Sequence, residues 1–206
     1  MDAHVRMAAP AEPWLAAEWA QALIESRQTI LPKRLVAPGP DAQQVRQILG
    51  AAAAAPDHGE LVPWRFVIVS PEARGRLAEA FAQSLAERDP AATPEQLAQA
   101  REKAHRSPLL MLAVARLASQ PGEEIPDDER LLSAGCAIQN LLLLATALGF
   151  GSALTSGQAM QSSGLRALFE LQPHERALCF ISIGTPVAGK PRRPRPGLED
   201  YVSLLK

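Results

Sequence analysis

Four clusters of small polar and charged side chains could carry chemistry in this sequence. Ser26-Arg27-Gln28-Thr29 sets a planar guanidinium beside a hydroxyl, a donor set suited to phosphate. On its own it is also what an exposed helix end looks like. Ala55-Pro56-Asp57-His58-Gly59-Glu60-Leu61-Val62-Pro63-Trp64 reads as a rigid, exposed loop that carries ionisable groups into a core strand. A plain connection fits it equally well. Leu154-Thr155-Ser156-Gly157 follows Gly149-Phe150-Gly151, where glycine lets backbone N–H groups approach an anion or a ring edge. Lys190, Arg192, Arg193 and Arg195 form a proline-stiffened basic run that could grip phosphate or be a solvated tail.

Other chemistries lack their residues. No G-x-S-x-G elbow and no H-E-x-x-H helix occurs. His4, His58, His105 and His174 stand at no metal-ligand spacing to one another, so no metal is expected. The phosphate-cradling patterns G-x-x-x-x-G-K-[ST] and G-x-G-x-x-G after a strand are missing too. Lysine plus arginine is 21 and aspartate plus glutamate 22, which argues against a nucleic-acid partner bound through bulk charge. The two cysteines, Cys136 and Cys179, lie far apart in apolar sequence. They read as buried thiols in a reducing cytoplasm. The first residues lack the apolar run of a signal peptide, so none is expected. The apolar stretch from Leu141 to Leu154 falls short of the ~20 residues a membrane span needs, so no membrane partner is expected.

The elements that must position these clusters follow from periodicity and punctuation. Residues 1–13 read as a flexible leader, and 14–206 as a single domain. Helical spacing covers Trp14 to Ser26. Asp41 caps a helix that runs into Ala51–Ala55, Pro71 to Arg88 repeats apolar residues every four positions, and Thr93 opens a helix to His105. Leu131 to Leu148 is a long apolar helix after an acidic loop, Ser119 to Arg130. Ser162 to Phe169 is a short helix. Strands are expected at Trp64–Ser70, Pro108–Arg116 and Ala177–Ile183, with a final strand or arm at Asp200–Leu204. Strands interrupted by helices of unequal length give an α+β fold, with doubly wound α/β close behind. The leucines of the long helix cover nearly its full circumference, which calls for burial on all sides and so for a second subunit. The chain has 18 prolines, and those in the leader, the loops beside the clusters and the C-terminal run read as stiffeners rather than signs of disorder.

Taken in order, the clusters resemble the FMN-dependent nitroreductase family. The resemblance spans about residues 20 to 203. It rests on Ser-Arg-Gln-Thr, on the Ala-Pro-Asp-His loop, on Ser133-Ala134-Gly135-Cys136-Ala137-Ile138-Gln139-Asn140 through Gly151, and on Ile183-Gly184-Thr185-Pro186. The Ala134–Gly151 segment is the most specific. The loop is most similar to the short, minimal branch. The resemblance implies a central, mostly antiparallel sheet flanked by helices, with a C-terminal arm reaching a partner subunit. It implies a homodimer with FMN at the interface and NAD(P)H as electron donor. The flavin, not a catalytic side chain, carries the chemistry, which is ping-pong reduction of a small acceptor such as a nitroaromatic or quinone.

Carried over by position, Arg27, Gln28 and Thr29 would meet the phosphate and ribityl. Pro56, Asp57 and His58 would approach the ring from the partner. Thr155, Ser156 and Gly157 would lie at the ring, and Arg193 or Arg195 would reach the phosphate. This chain departs from its relatives at Gln28, Ala54 and Thr155, where arginines are found in some of them. The departures leave open a changed substrate, as in dehalogenation, dehydrogenation or flavin destruction on the same fold, or a flavin-binding regulatory module with little turnover.

Overall fold

A computed structural model describes residues 13–118, 120, 123–187 and 194–206. Apart from Pro13, the expected leader lies outside the described residues. Helix α1 spans Pro13–Ser26. A short strand β1, Leu35–Val36, precedes α2 at Ala42–Gly50. Strand β2 is Trp64–Ile68, followed by α3 at Arg74–Arg88 and α4 at Pro94–Glu102. Then come β3 at Leu109–Arg116, α5 at Asp127–Ala147, β4 at Gly151–Thr155, α6 at Ser163–Leu168 and β5 at Glu175–Pro186.

The five strands form one antiparallel sheet in the order β1-β5-β3-β2, with β4 on the same side of β5 as β1. Strand β3 is buried from Leu109 to Ala115 because both faces are covered. Leu109, Met111, Ala113 and Ala115 pack with α2 and α5 (Ile48, Ala134, Ala137, Leu141). Leu110, Leu112 and Val114 pack with α3 and α6 (Leu77, Ala78, Leu165). Arg74, itself buried, donates to the carbonyls of Val69, Ala104 and Pro108, so the start of α3 is tied to both flanking loops.

Capping residues set the helix starts. Asp41 and Thr93 each form a reciprocal capping box, with Gln44 and Gln96. The 51–54 segment tightens into a 3-10 turn rather than prolonging α2. Helix α5 begins at Asp127, four residues before the apolar run, because Asp127, Asp128 and Glu129 suit the positive end of the helix dipole. The expected acidic loop is shorter by the same amount.

The sequence reading lacks two strands: the short β1, in a stretch read as a proline-broken loop, and β4. The apolar stretch from Leu141 onward breaks at Gly149, whose φ of 85° ends the helix, and resumes as an edge strand paired with Phe180–Gly184. Strand β5 is longer than expected at both ends. The segment at 200–204 is no strand: a 3-10 turn at Leu198–Asp200 leads into an exposed tail.

Helix α5 is long and apolar enough to cross a membrane by length and composition. Here Ala134, Ile138, Leu141 and Leu142 lie against the sheet, while Leu132 is 70% exposed. A single chain therefore leaves part of the apolar circumference uncovered. Cys179 is buried and Cys136 only half-buried; both are free. Burial pushes the Cys179 thiol up to about 11, which makes it unreactive.

Candidate functional site

Strand β4 joins two of the four clusters. Its start is bridged to Thr29 in parallel fashion through Ser152, and Ile30 N–H donates to the Ser152 carbonyl at 2.9 Å. Its end carries Thr155, followed by Ser156 and Gly157. The Ser156 hydroxyl donates to the Leu178 carbonyl at 2.9 Å, which fixes this turn to β5.

Thr155, Ser156 and Gly157 form one wall of a cavity of about 440 Å³. Phe81, Leu85, Leu110, Met160 and Phe180 give it an apolar lining. Phe81 and Phe180 meet edge to face, with ring centroids 5.4 Å apart. Four cations, Lys33, Arg88, Lys103 and Arg106, line the rest together with Ser84 and Ser182. Volume and lining are those of a small-molecule site: apolar walls with a few convergent polar groups.

The Arg106 side chain is held at one end by Glu102, whose Oε2 accepts from Nη2 at 2.9 Å. Its Nε is buried and has no acceptor among the described residues. The same pairing holds the Glu102 carboxyl below its usual range, with Lys33 adding a smaller pull.

Arg27 is half-buried at the C-terminus of α1. No carboxylate pairs with its side chain among the described residues. The Arg195 Nη2 donates to the Arg27 carbonyl at 2.8 Å and sits 3.5 Å from that of Glu25, capping the helix end. The chain thus brings Arg27 and Arg195 together although they are far apart in sequence. Gln28 is half-buried and Thr29 exposed between them and β4. Arg193 lies outside the described residues.

The remaining cluster stands apart. Asp57 lines a different cavity, with Leu49, Ala52, Trp64 and Phe66. Pro56 and His58 are exposed. The loop around them is built under strain: Gly59 has φ 73°, Glu60 φ 55° and Val62 φ 47°. Positive φ at the β-branched Val62 persists only where the surroundings impose it. Asp57 Oδ2 accepts from Val62 N–H at 2.7 Å, and Oδ1 is buried without a partner among the described residues. His58 Nδ1 lies 2.8 Å from Glu129 Oε2 in the first turn of α5. That hydrogen bond, and the negative charge behind it, raise the imidazole above its ordinary value. Within one chain, then, Pro56, Asp57 and His58 do not reach the cavity beside Thr155.

Sequence reasoning missed the cationic lining. Its one available signal was local: Ser84 and Arg88 are four residues apart, and Lys103 and Arg106 three, so each pair sits on one side of its turn. Nothing in the sequence says that the two pairs line one cavity with Phe180.

The profile described as "Nitroreductase family" matches residues 24–185. The chain belongs to the nitroreductase family. A relative from Haemophilus influenzae, named "Putative NAD(P)H nitroreductase", is 34% identical over 174 residues, covering 84% of this chain and 93% of its own. Among solved structures, a mutant of the FMN and NADPH-dependent nitroreductase NfnB from Sphigopyxis sp. strain HMH superposes with a TM-score of 0.71. It is 18% identical and covers 90% of this chain and 98% of its own. Oxidised iodotyrosine deiodinase bound to FMN and 3-iodo-L-tyrosine superposes at 0.63, is 22% identical, and covers 86% and 95% respectively. At these identities the two structures establish the shared fold. The expected α+β architecture of an antiparallel sheet flanked by helices is the one observed.

The donor set present fits a flavin mononucleotide. A tricyclic ring wants apolar faces with a few donors at its polar edge, and the cavity offers both along its Thr155–Gly157 wall. A phosphate wants guanidinium and hydroxyl donors, which Arg27, Thr29 and Arg195 supply.

Proposed function

We propose that this nitroreductase-family oxidoreductase binds FMN and transfers electrons from NAD(P)H to a small aromatic acceptor, a nitroaromatic or a quinone, by a ping-pong mechanism. The observation that carries this reading is the cavity of about 440 Å³ beside Thr155–Gly157, linked through β4 to the Arg27–Arg195 pair. FMN, when bound, supplies the two-electron chemistry that links donor to acceptor. For a nitro acceptor the balance is nitroarene, NAD(P)H and a proton to nitrosoarene, NAD(P)+ and water.

The chain's own residues bind, orient and exclude water. Arg27, with Gln28 and Thr29, holds the phosphate and ribityl by charge-assisted hydrogen bonds. Arg195 spends Nη2 on the end of α1 and has further N–H groups for the same phosphate; Arg193 stands as its alternative. Thr155, Ser156 and the unhindered Gly157 backbone meet the polar ring edge, while Phe81, Phe180 and Met160 keep water out. No side chain is assigned as a catalytic acid or base.

The site is completed by a second copy of the chain. Leu132 on α5, at 70% exposure, and Trp19 on the neighbouring α1, at 62%, present apolar surface that a dimer would cover. Pro56, Asp57 and His58 then reach the partner's cavity rather than their own, and the exposed C-terminal segment is the arm that extends to the partner. We read residues 14–206 as one domain, and the two free cysteines as fitting a reducing cytoplasm.

Reconstitution tests the reading. Purified protein mixed with FMN should retain flavin through gel filtration and bleach with NADH or NADPH under anaerobic conditions. An added nitroaromatic or quinone should restore the colour. Protein that holds no flavin would overturn the proposal; flavin that does not bleach would make the chain a passive binder.

A further inference from the structure

The lining of the cavity beside Thr155 is electrically one-sided. Lys33, Arg88, Lys103 and Arg106 reach it, and no carboxylate among the described residues does. Glu102 stands close behind, paired with Arg106. Lys33, Arg88 and Lys103 enter no ion pair among the described residues. Low-dielectric walls concentrate the field of such a set on whatever enters. A neutral aromatic would satisfy the apolar lining of Phe81 and Phe180 and leave the cations partly desolvated and the buried Arg106 Nε without an acceptor. An aromatic anion satisfies both halves.

We propose that the acceptor taken by this site carries a fixed negative charge on its ring, as an aromatic carboxylate does, with Arg106 and Lys103 reading the charge and the phenylalanine-lined wall taking the ring. This rests on the proposed function, with the flavin ring against the Thr155–Gly157 wall and the acceptor on the side of the same cavity lined by Phe81, Phe180 and Arg106. Arg106 is suited to the task because Glu102 already orients its guanidinium, so little freedom is lost on binding. Discrimination comes from what a neutral analogue leaves unpaired as much as from what the anion gains.

The test compares three probes on the FMN-loaded protein by calorimetry: 4-nitrobenzoate, the nearly isosteric neutral 4-nitrobenzamide, and inorganic phosphate. The benzoate should bind at least ~10-fold tighter than the amide and at least ~10-fold tighter than phosphate. Arg106→Gln should bring the benzoate-to-amide ratio within about threefold; Lys103→Gln serves if that variant does not fold. Equal affinity for benzoate and amide overturns the proposal. So does a preference that survives both substitutions, since the anion is then read elsewhere. Phosphate binding as tight as benzoate shows a general anion site and overturns the aromatic part. If the protein retains no FMN, the functional reading fails instead, and the same titration on flavin-free protein still decides the charge preference.

Discussion

Arg65 grips the buried Glu175 with both nitrogens of one edge: Nε donates to Oε1 at 2.6 Å and Nη2 to Oε2 at 2.7 Å. The pair spans β2 to the start of β5, on either side of β3. Gln172 N–H adds a third donor at 3.1 Å, and Arg116 stands 3.9 Å away. The Arg65 hydrogen bond is the main reason the Glu175 carboxyl falls to about 2, against desolvation that pushes the other way.

Glu175→Gln should therefore destabilise the fold by about 2–3 kcal/mol, since it leaves a half-buried guanidinium without its anion. In thermal melts that is a loss of roughly 5–10 °C. The sign with pH follows from the lowered value. The pair's contribution is complete above the unfolded value near 4.5 and fades as pH falls toward about 2. The gap between wild type and Glu175→Gln should close over that acidic window. A constant gap down to pH 2 would show that charge is not what the pair contributes.

Arg27→Ala should weaken FMN binding roughly 10- to 150-fold, the worth of a charge-assisted contact of about 1.5–3 kcal/mol. Riboflavin, which lacks the phosphate, should bind wild type and variant alike. Equal losses for both ligands would place Arg27 away from the phosphate, and no loss for either would remove it from the site.

How much of this was legible in the sequence varies by element. Asp41 and Thr93 announced their helices because a capping box is local: the residues that bond are three apart. Strand β3 was legible as a continuous apolar run because it is covered on both faces. Strand β4 was not. Its five residues open on Gly151 just after Gly149, end in exposed Leu154 and Thr155, and owe their extended shape to pairing with Phe180–Gly184 in β5. The site divides the same way. Arg27 and Thr155 are visible as motif residues. The meeting of Arg27 with Arg195, and of Arg88 with Arg106 around one cavity, depends on tertiary contacts that no local pattern encodes.

His58 and Glu129 give a prediction at neutral pH. The carboxylate's hydrogen bond and charge, helped by Glu124, raise the His58 imidazole above its ordinary 6.5. Whatever this exposed pair adds to stability is present below 6.5 and lost as pH rises through the raised folded value. In an NMR titration Glu129→Gln should move the His58 midpoint down toward 6.5. His58→Ala should change the spectrum or reduction rate of the bound flavin while the melting temperature stays nearly constant. An unmoved midpoint would mean the two side chains do not pair in solution; an unmoved flavin spectrum and rate would make His58 an ordinary loop residue.

The last prediction concerns Leu132. It is 70% exposed on the first turns of an otherwise apolar α5, one turn from Glu129 and so from the strained loop that carries His58. Changing a side chain this exposed should cost a single chain no more than about 0.5 kcal/mol. If α5 and α1 instead meet a second copy, Leu132→Glu buries an unpaired carboxylate in that interface, which is costly. Sedimentation at micromolar concentration should then show a dimer for wild type and a monomer for the variant, with near-native circular dichroism in both. FMN affinity should fall in step with dissociation, because Pro56, Asp57 and His58 do not reach the cavity of their own chain. A wild-type monomer that binds FMN tightly would remove the partner loop from the site, and a Leu132→Glu dimer would move the interface off this face of α5.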